Sequence, residues 1–449
     1  MGLLELQQSM SLQRDPQQQG HPQIRVQNES VVSVDDTKLL PRRIFGDADS
    51  HAVDIMGCSN PDLPEDIWHH IHSLLPMRDA ARVACQSRPF LRSWRCHPVL
   101  TFSRNTLGSN TNAHPEDFIC KIDHILSNHS GIGIKIFKLQ LPGIFHACPY
   151  LDTWLQIAVK PGIEELTLEL CADLGILKNL TRLSLYKKLR CLKISSCYYL
   201  RVIESKAQNL SIFYLNGSWT ENVSLGETLQ MKNFGMHRSD LVCYARTELP
   251  ARMPRLKTLA ISSSYERVDT PMLPTKFMFL KYLRIYMVTG GSFCPSYDYF
   301  SLVSFLDASP LLETLTLDVT QHQMKHESVF GGSLQLRQMP EHHHGCLKIV
   351  KITGFSSAKG LVELTCYILK NAESLERLTL DTLCGTNRCY LGDSTVINCD
   401  AMSEGLLREA PRAVAAIRTH IKDKVPTTVK LTVLEPCSRC HANGGYPFM

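Results

Sequence analysis

The hexapeptide LERLTL at residues 375–380 sets the pattern for most of this chain, because the form L-x-x-L-x-L/I occurs nine times. The other copies begin at Ile163, Leu180, Leu189, Leu210, Leu256, Leu280, Leu312 and Leu347. Successive side chains of a strand point to opposite faces, so the last two apolar positions of each copy share one face and the residue between them faces the other. One such strand cannot bury its own apolar side. Copies must therefore stack, each covering its neighbour, and the expected fold is an α/β solenoid of parallel strands with helices or loops on the convex side.

The string is the core of a leucine-rich repeat. Repeat starts from Leu189 to Leu375 have variable spacing, and the longest gap, Leu210 to Leu256, is expected to hide a degenerate turn around Val223 to Met231. Leu180 and Leu189 are too close for strand, turn and return, which leaves two readings. Either one of them is not a repeat strand or a segment is missing here, and the second is favoured. Alternation places columns of side chains on the concave face, where a target would bind. They comprise Arg182, Ser184 and Tyr186; Lys193; Tyr282, Arg284 and Tyr286; Thr314, Thr316 and Asp318; Lys351; and Arg377, Thr379 and Asp381. The candidate target-binding residues are Lys193, Tyr282, Arg284, Tyr286, Thr316, Asp318 and Arg377. Tyr and Arg are enriched in binding hot spots, which singles out Tyr282 to Tyr286.

Ahead of the repeats, residues 63–102 form a run of short amphipathic segments punctuated by prolines. Ile67, Ile71, Leu74 and Leu75 fall on one helix face. Pro64 fits the first turn with Asp62 as cap, and Pro76 stops the helix. A second helix is expected from about Arg78 to Cys85, and Phe90, Leu91, Trp94 and Val99 continue an apolar set to Leu100 and Phe102. The strings L-P-x-D-I at Leu63 to Ile67, L-L-P-x-R-D-A-A-R at Leu74 to Arg82 and S-R…W-R at Ser87 to Arg95 resemble the F-box of plant F-box proteins. Pro89-Phe90-Leu91 departs from the usual residues before the Trp-Arg pair. Leu347 to Phe355 and Leu361 to Leu380 look like the FBD-type ending of plant F-box/leucine-rich-repeat proteins.

The resemblance implies a substrate-recognition subunit of a Skp–cullin–F-box ubiquitin ligase. Its adaptor anchors would be Leu63, Pro64, Ile67, Ile71, Leu74, Leu75 and Pro76, with Arg78, Arg82, Arg88 and Arg92 available to steer an acidic adaptor. The implied partners are a Skp-type adaptor, a cullin reached through it, and an unknown target protein. The alternatives are a leucine-rich-repeat scaffold that does not engage the ligase, and an enzyme or metal protein centred on the cysteine-rich C-terminus.

Composition narrows the rest. The 449 residues carry a net charge of +5, which makes no case for nucleic-acid binding, and no stretch approaches a membrane span. The first twenty residues lack a signal-peptide pattern, and Leu6 sits where myristoylation wants Ser or Thr. Seventeen scattered cysteines fit a reduced, cytoplasmic or nuclear protein. Cys437-Ser-Arg-Cys440-His441 spells a haem-attachment motif without an exported context, and a zinc site would need two further ligands. His342-His343-His344 reads as a solvated insert, so no catalytic residue, metal ligand or cofactor is expected. The division expected is a disordered 1–59, an F-box at 60–104, a helical connector and cap at 105–160, repeats at 161–383 (FBD-like from about 340), and a cap and tail at 384–449. The F-box and the solenoid are expected to have separate cores.

Overall fold

A computed structural model describes residues 64–86, 88–108, 115–130, 133–141, 150–170, 181–197, 200–216, 220, 222–264, 266, 269–288, 297–320, 326–331, 335–338, 340–383 and 402–437. All of these lie in the unit from 62 to 449. Leu63, the N-terminal segment 1–59, Cys440 and His441 fall outside the described residues.

Three helices lead: α1 (Glu65–Leu74), α2 (Met77–Ala84) and α3 (Arg88–Trp94). Pro64 caps α1, its carbonyl accepting from Ile67 and Trp68 N–H, and Pro76 occupies the same place for α2. Both prolines are extended (ψ 147° and 142°), which suits a ring that cannot donate to a preceding turn. The apolar set expected to continue through Val99 and Phe102 is instead a strand, β1 (Val99–Phe102), because Pro98 and the β-branched Val99 and Thr101 favour extended backbone.

β1 opens a parallel sheet of twelve strands. It continues through β2 (Ile136–Leu141) and β3 (Glu165–Leu170), then β5 (Cys191–Ser195), β7 (Ile212–Asn216) and β9 (Asn233–His237). β10 (Thr258–Ser263), β11 (Tyr282–Val288), β12 (Thr314–Thr320), β13 (Ile349–Thr353), β14 (Arg377–Asp381) and β15 (Lys430–Leu434) complete it. The missing numbers form a second, three-stranded parallel sheet of β4 (Arg182–Leu185), β6 (Val202–Ser205) and β8 (Asn222–Ser224). Leu183, Leu185 and Ile203 enter the same buried cluster as the long sheet, so the small sheet closes the core from the opposite side.

This resolves the short step from Leu180 to Leu189. β4 is the return strand of its repeat and β5 the next strand of the long sheet, so no segment is missing. Arg182, Ser184 and Tyr186 accordingly leave the expected binding columns, and Arg182 pairs with Glu204 of β6 at 2.7 Å. The gap from Leu210 to Leu256 holds a whole repeat, not a degenerate turn. β9 carries the string Met231-Lys-Asn-Phe234-Gly-Met236, in which Met and Phe replace Leu. Beyond β9 the returns are helical, as in Leu241–Arg252 and Lys359–Asn371.

The expected separate cores are not found. Met77 of α2 belongs to the same buried cluster as Leu100 and the repeat leucines. His97, 1% exposed, has Nδ1 against the Val99 backbone (2.9 Å from its O, 3.2 Å from its N) and Nε2 3.2 Å from Leu75 O, joining the end of α1 to β1. Farther along, the buried Arg246 donates to Ser304 O and Thr275 Oγ1, both at 3.0 Å, and to Leu273 O, so one guanidinium satisfies carbonyls from two neighbouring segments.

Glu409, on the helix Glu404–Ala416, accepts from the Ser357 backbone (2.8 Å) and hydroxyl (2.6 Å) and lies 3.6 Å from His326. Burial alone would raise its carboxyl, but these bonds and the His326 charge outweigh it and hold the pKa at about 2. The histidine run is not a solvated insert throughout. His344 is buried against Tyr367 (3.1 Å) and His342 meets Asp307 (3.2 Å), because the segment folds back onto the helix Lys359–Asn371, whereas His343 stays exposed beside Glu373.

Gly354 sits just after β13 at φ +73°, and a Cβ there would lie 1.8 Å from Val319 O of β12. Gly133, at φ +79°, has nothing within 4 Å of the same position. Gly354→Ala therefore combines left-handed strain with a backbone collision and should destabilise by about 3 kcal/mol or more, whereas Gly133→Ala should cost about 1 kcal/mol. Urea denaturation of the two variants checks the difference; equal losses would show that the β12–β13 register is wrong.

Candidate functional site

The side chains that leave the core form the open face of the twelve-stranded sheet. Strand register puts Lys138, Thr167, Lys193, Tyr214, Gly235, Ala260, Arg284, Thr316, Lys351, Thr379 and Thr432 in one row, each beside the next. Two residues on runs a second row that includes His237, Ser262, Tyr286 and Asp318.

Tyr282 (48% exposed) and Tyr286 (37%) flank Arg284 on this face, as alternation requires with Leu283 and Ile285 buried. Arg284 does more than project. Its Nε and Nη2 both reach Asp318 Oδ2 at 2.8 Å, and that carboxylate is only 13% exposed. Thr316 is half-buried between them, while Lys193 and Arg377 are exposed on other strands. The expected target-binding residues thus share one face, but Asp318 is held by its neighbour and not presented freely.

A cavity of about 590 Å³ opens in the middle of the face. Its floor is low because Gly235 and Ala260 are adjacent in the row, and its sides include Tyr214, His237, Ser262, Arg284, Tyr286 and Asp318. The Tyr214 ring lies across Gly235, whose added Cβ would meet the ring at 2.3 Å, so only glycine admits this pose. His237 Nδ1 and Ser262 Oγ are 2.8 Å apart. Burial lowers the His237 pKa, and burial followed by the nearby Cys191 raises the Tyr214 phenol. Sequence reading missed Gly235 and His237 because the β9 string lacks leucine, so its outward positions were never assigned to a row.

The second surface is α1. Its inward side is aromatic: Phe90 of α3 stacks on the buried His72 (5.4 Å) and meets Trp68 edge-on (5.0 Å). Its outward side carries Ile67 at 41%, Ile71 at 39% and Leu74 at 71% exposure. Pro64 and Pro76 are exposed and Leu75 half-buried. Of the arginines, Arg82 meets Asp79 (3.5 Å) and Arg92 meets Glu65 (3.8 Å), both on exposed ground, and Arg78 and Arg88 are exposed too. A depression of about 620 Å³ between α2 and α3 is lined by Ala81, Ala84, Cys85, Arg88, Leu91 and Trp94, among others. Among the described residues no cluster of three or more His, Cys, Asp or Glu is placed to hold a metal ion, and no helix is long and apolar enough to cross a membrane.

Stacked parallel strands, a leucine string and returns of strand or helix define a leucine-rich-repeat solenoid. A family model described as "At1g61320/AtMIF1, LRR domain" matches residues 125–180 and 170–438, and the chain belongs to this leucine-rich-repeat family. The chain is also similar to the F-box/FBD/LRR-repeat protein At1g13570 of Arabidopsis thaliana, at 27% identity over 263 residues. That match covers 57% of this chain and 60% of the relative's length.

Arg284→Ala should lower stability by about 1–2 kcal/mol, because it strands a nearly buried carboxylate. Adding Asp318→Asn should recover most of that loss. Urea melts of the single and double variants test this; a single variant as stable as wild type would mean the pair does not shape the face.

Proposed function

We propose that this chain is a non-catalytic substrate-recognition subunit of a Skp–cullin–F-box ubiquitin ligase. Residues 60–104 act as the F-box, docking a Skp-type adaptor and through it a cullin, and the repeats hold a target protein. The observation that carries the reading is the uncovered stripe of Ile67, Ile71 and Leu74 on a helix whose other side is already packed. A helix normally turns its apolar face to the core, and an outward one marks a contact with another protein. The name of the Arabidopsis relative supports the F-box part of the reading, and the repeat family supports protein binding. Pro64, Leu75 and Pro76 border the stripe, and Leu63 would precede it.

On this reading the chain performs no bond chemistry. A target held on the open sheet face has its lysines kept near a ubiquitin-loaded enzyme, and the tether raises their effective concentration. Tyr282, Arg284 and Tyr286 supply adhesive contacts at and beside the cavity, with Thr316 and Asp318 on the next strand and Lys193 and Arg377 farther along the face. Cytoplasm and nucleus are the proposed compartments.

Ile67→Asp, alone or with Ile71→Asp, should reduce adaptor capture at least tenfold (about 1.4 kcal/mol or more), because a charge buried in an apolar interface is costly. Both side chains are solvent-exposed in the chain by itself, so the melting temperature should stay at the wild-type value. Adaptor capture undiminished in a folded Ile67→Asp protein would overturn the F-box reading and leave a repeat scaffold that does not engage the ligase.

A further inference from the structure

Charges on the open sheet face are unevenly satisfied. Each described carboxylate on its rows has a partner: Glu165 meets Lys138 (3.6 Å), and Glu169 accepts from Gln140 Nε2 (2.6 Å). Asp318 is held by Arg284 (2.8 Å), and Asp381 accepts from Leu383 N–H (3.1 Å). Four cations are left over. Lys193, Lys351, Arg377 and Lys430 are all exposed, and among the described residues none has a carboxylate within 4.0 Å.

Their placement is ordered by the ladder. Arg377 and Lys430 are register partners on β14 and β15, and Lys351 lies on the next strand, β13, in the adjoining row. Neighbouring strands lie about 4.8 Å apart, so these three positive charges crowd one end of the face with no acid among them. Like charges so close repel, and an anion set between them removes the repulsion. Lys193 stands alone on β5, over the Tyr214 ring at 5.8 Å, on the far side of the Gly235–Ala260 cavity.

We propose that the open face receives an extended acidic segment of the target, running across the strands. One carboxylate meets Lys193, a bulky side chain enters the cavity over Ala260 beside the Tyr214 ring, and a cluster of carboxylates meets Lys351, Arg377 and Lys430. This deepens the proposed function and rests on its reading that the target binds this face. The distances agree with a single peptide. From β5 to β13 the sheet takes six steps, about 29 Å, which an extended chain at about 3.3 Å per residue covers with roughly nine residues. Continuing to β15 brings the segment to about twelve residues. A nucleic acid fits less well, because Asp318 on β12 lies along the path between Lys193 and the three-cation end and a polyphosphate carries charge at every step, whereas a peptide can place its acids at the two ends.

The test uses the full chain and a fluorescent peptide of about twelve residues, with glutamates at both ends and tyrosine, glycine and serine between. A second peptide has lysine in place of glutamate, and the third probe is a single-stranded oligonucleotide of equal charge. The acidic peptide should bind at least tenfold more tightly than either competitor, and less tightly as salt rises. Lys351→Glu/Arg377→Glu/Lys430→Glu should lose at least tenfold toward the acidic peptide and gain toward the lysine peptide, which an unfolded variant could not do. Lys206→Glu, beside the three-stranded sheet, should change nothing. Unchanged acidic-peptide binding in the triple variant, or equal binding of the oligonucleotide, overturns the proposal. Capture of the cellular target separates the two levels. If Tyr282→Ala/Arg284→Ala/Tyr286→Ala loses the target and the charge-reversed protein keeps it, the acidic segment is wrong and the binding face stands. If both keep it, the binding face itself is wrong.

Discussion

Everything in this chain depends on one constraint: no repeat can bury its own apolar side. Leu166, Leu192, Phe213, Phe234, Leu259, Leu283, Leu315, Val350 and Leu378 are register partners, one strand after another, and each is at most 5% exposed. Each is covered by the next, at about 1.5–3 kcal/mol for a fully buried side chain of this size. Parallel register follows, because a slip of one residue would turn every such side chain outward. The open face inherits its order from the same constraint. Rows of outward residues line up because the inward ones must.

The helices at the N-terminal end are tied into that core and do not float beside it. Met77 enters the buried cluster, and His97 links Leu75 O with β1 through both ring nitrogens. The stripe on α1 is therefore presented by a fixed element, with Trp68 and His72 locked against Phe90. Rigid placement matters for a protein proposed to hold two partners, since a loose link would lower the effective concentration that the arrangement exists to raise.

The leucine string made the solenoid legible, and alternation placed Tyr282, Arg284 and Tyr286 outward. What escaped has identifiable physical causes. A short L-x-x-L-x-L string marks a strand but not which sheet it joins, so Arg182 to Leu185 looked like a neighbour of β5 when it is a return strand. Met231-Lys-Asn-Phe234-Gly-Met236 satisfies the same packing with different side chains, and Gly235 in mid-strand reads as a breaker until the Tyr214 ring is seen lying on it. Burial of Arg246 and His344 depends on segments distant in sequence, and no local pattern records it. The pairing of Arg284 with Asp318 needed the β11–β12 register, which spacing alone did not supply.

On the proposed function, one stacked core presents two different protein-binding surfaces, the outer stripe of α1 and the open face of the sheet. Amide hydrogen exchange of the full chain, alone and saturated with a Skp-type adaptor, tests it most directly. Exchange should slow from Glu65 to Trp94 and stay unchanged in β11, β12 and β13. Adaptor-induced protection of those strands, with none over α1, would contradict it.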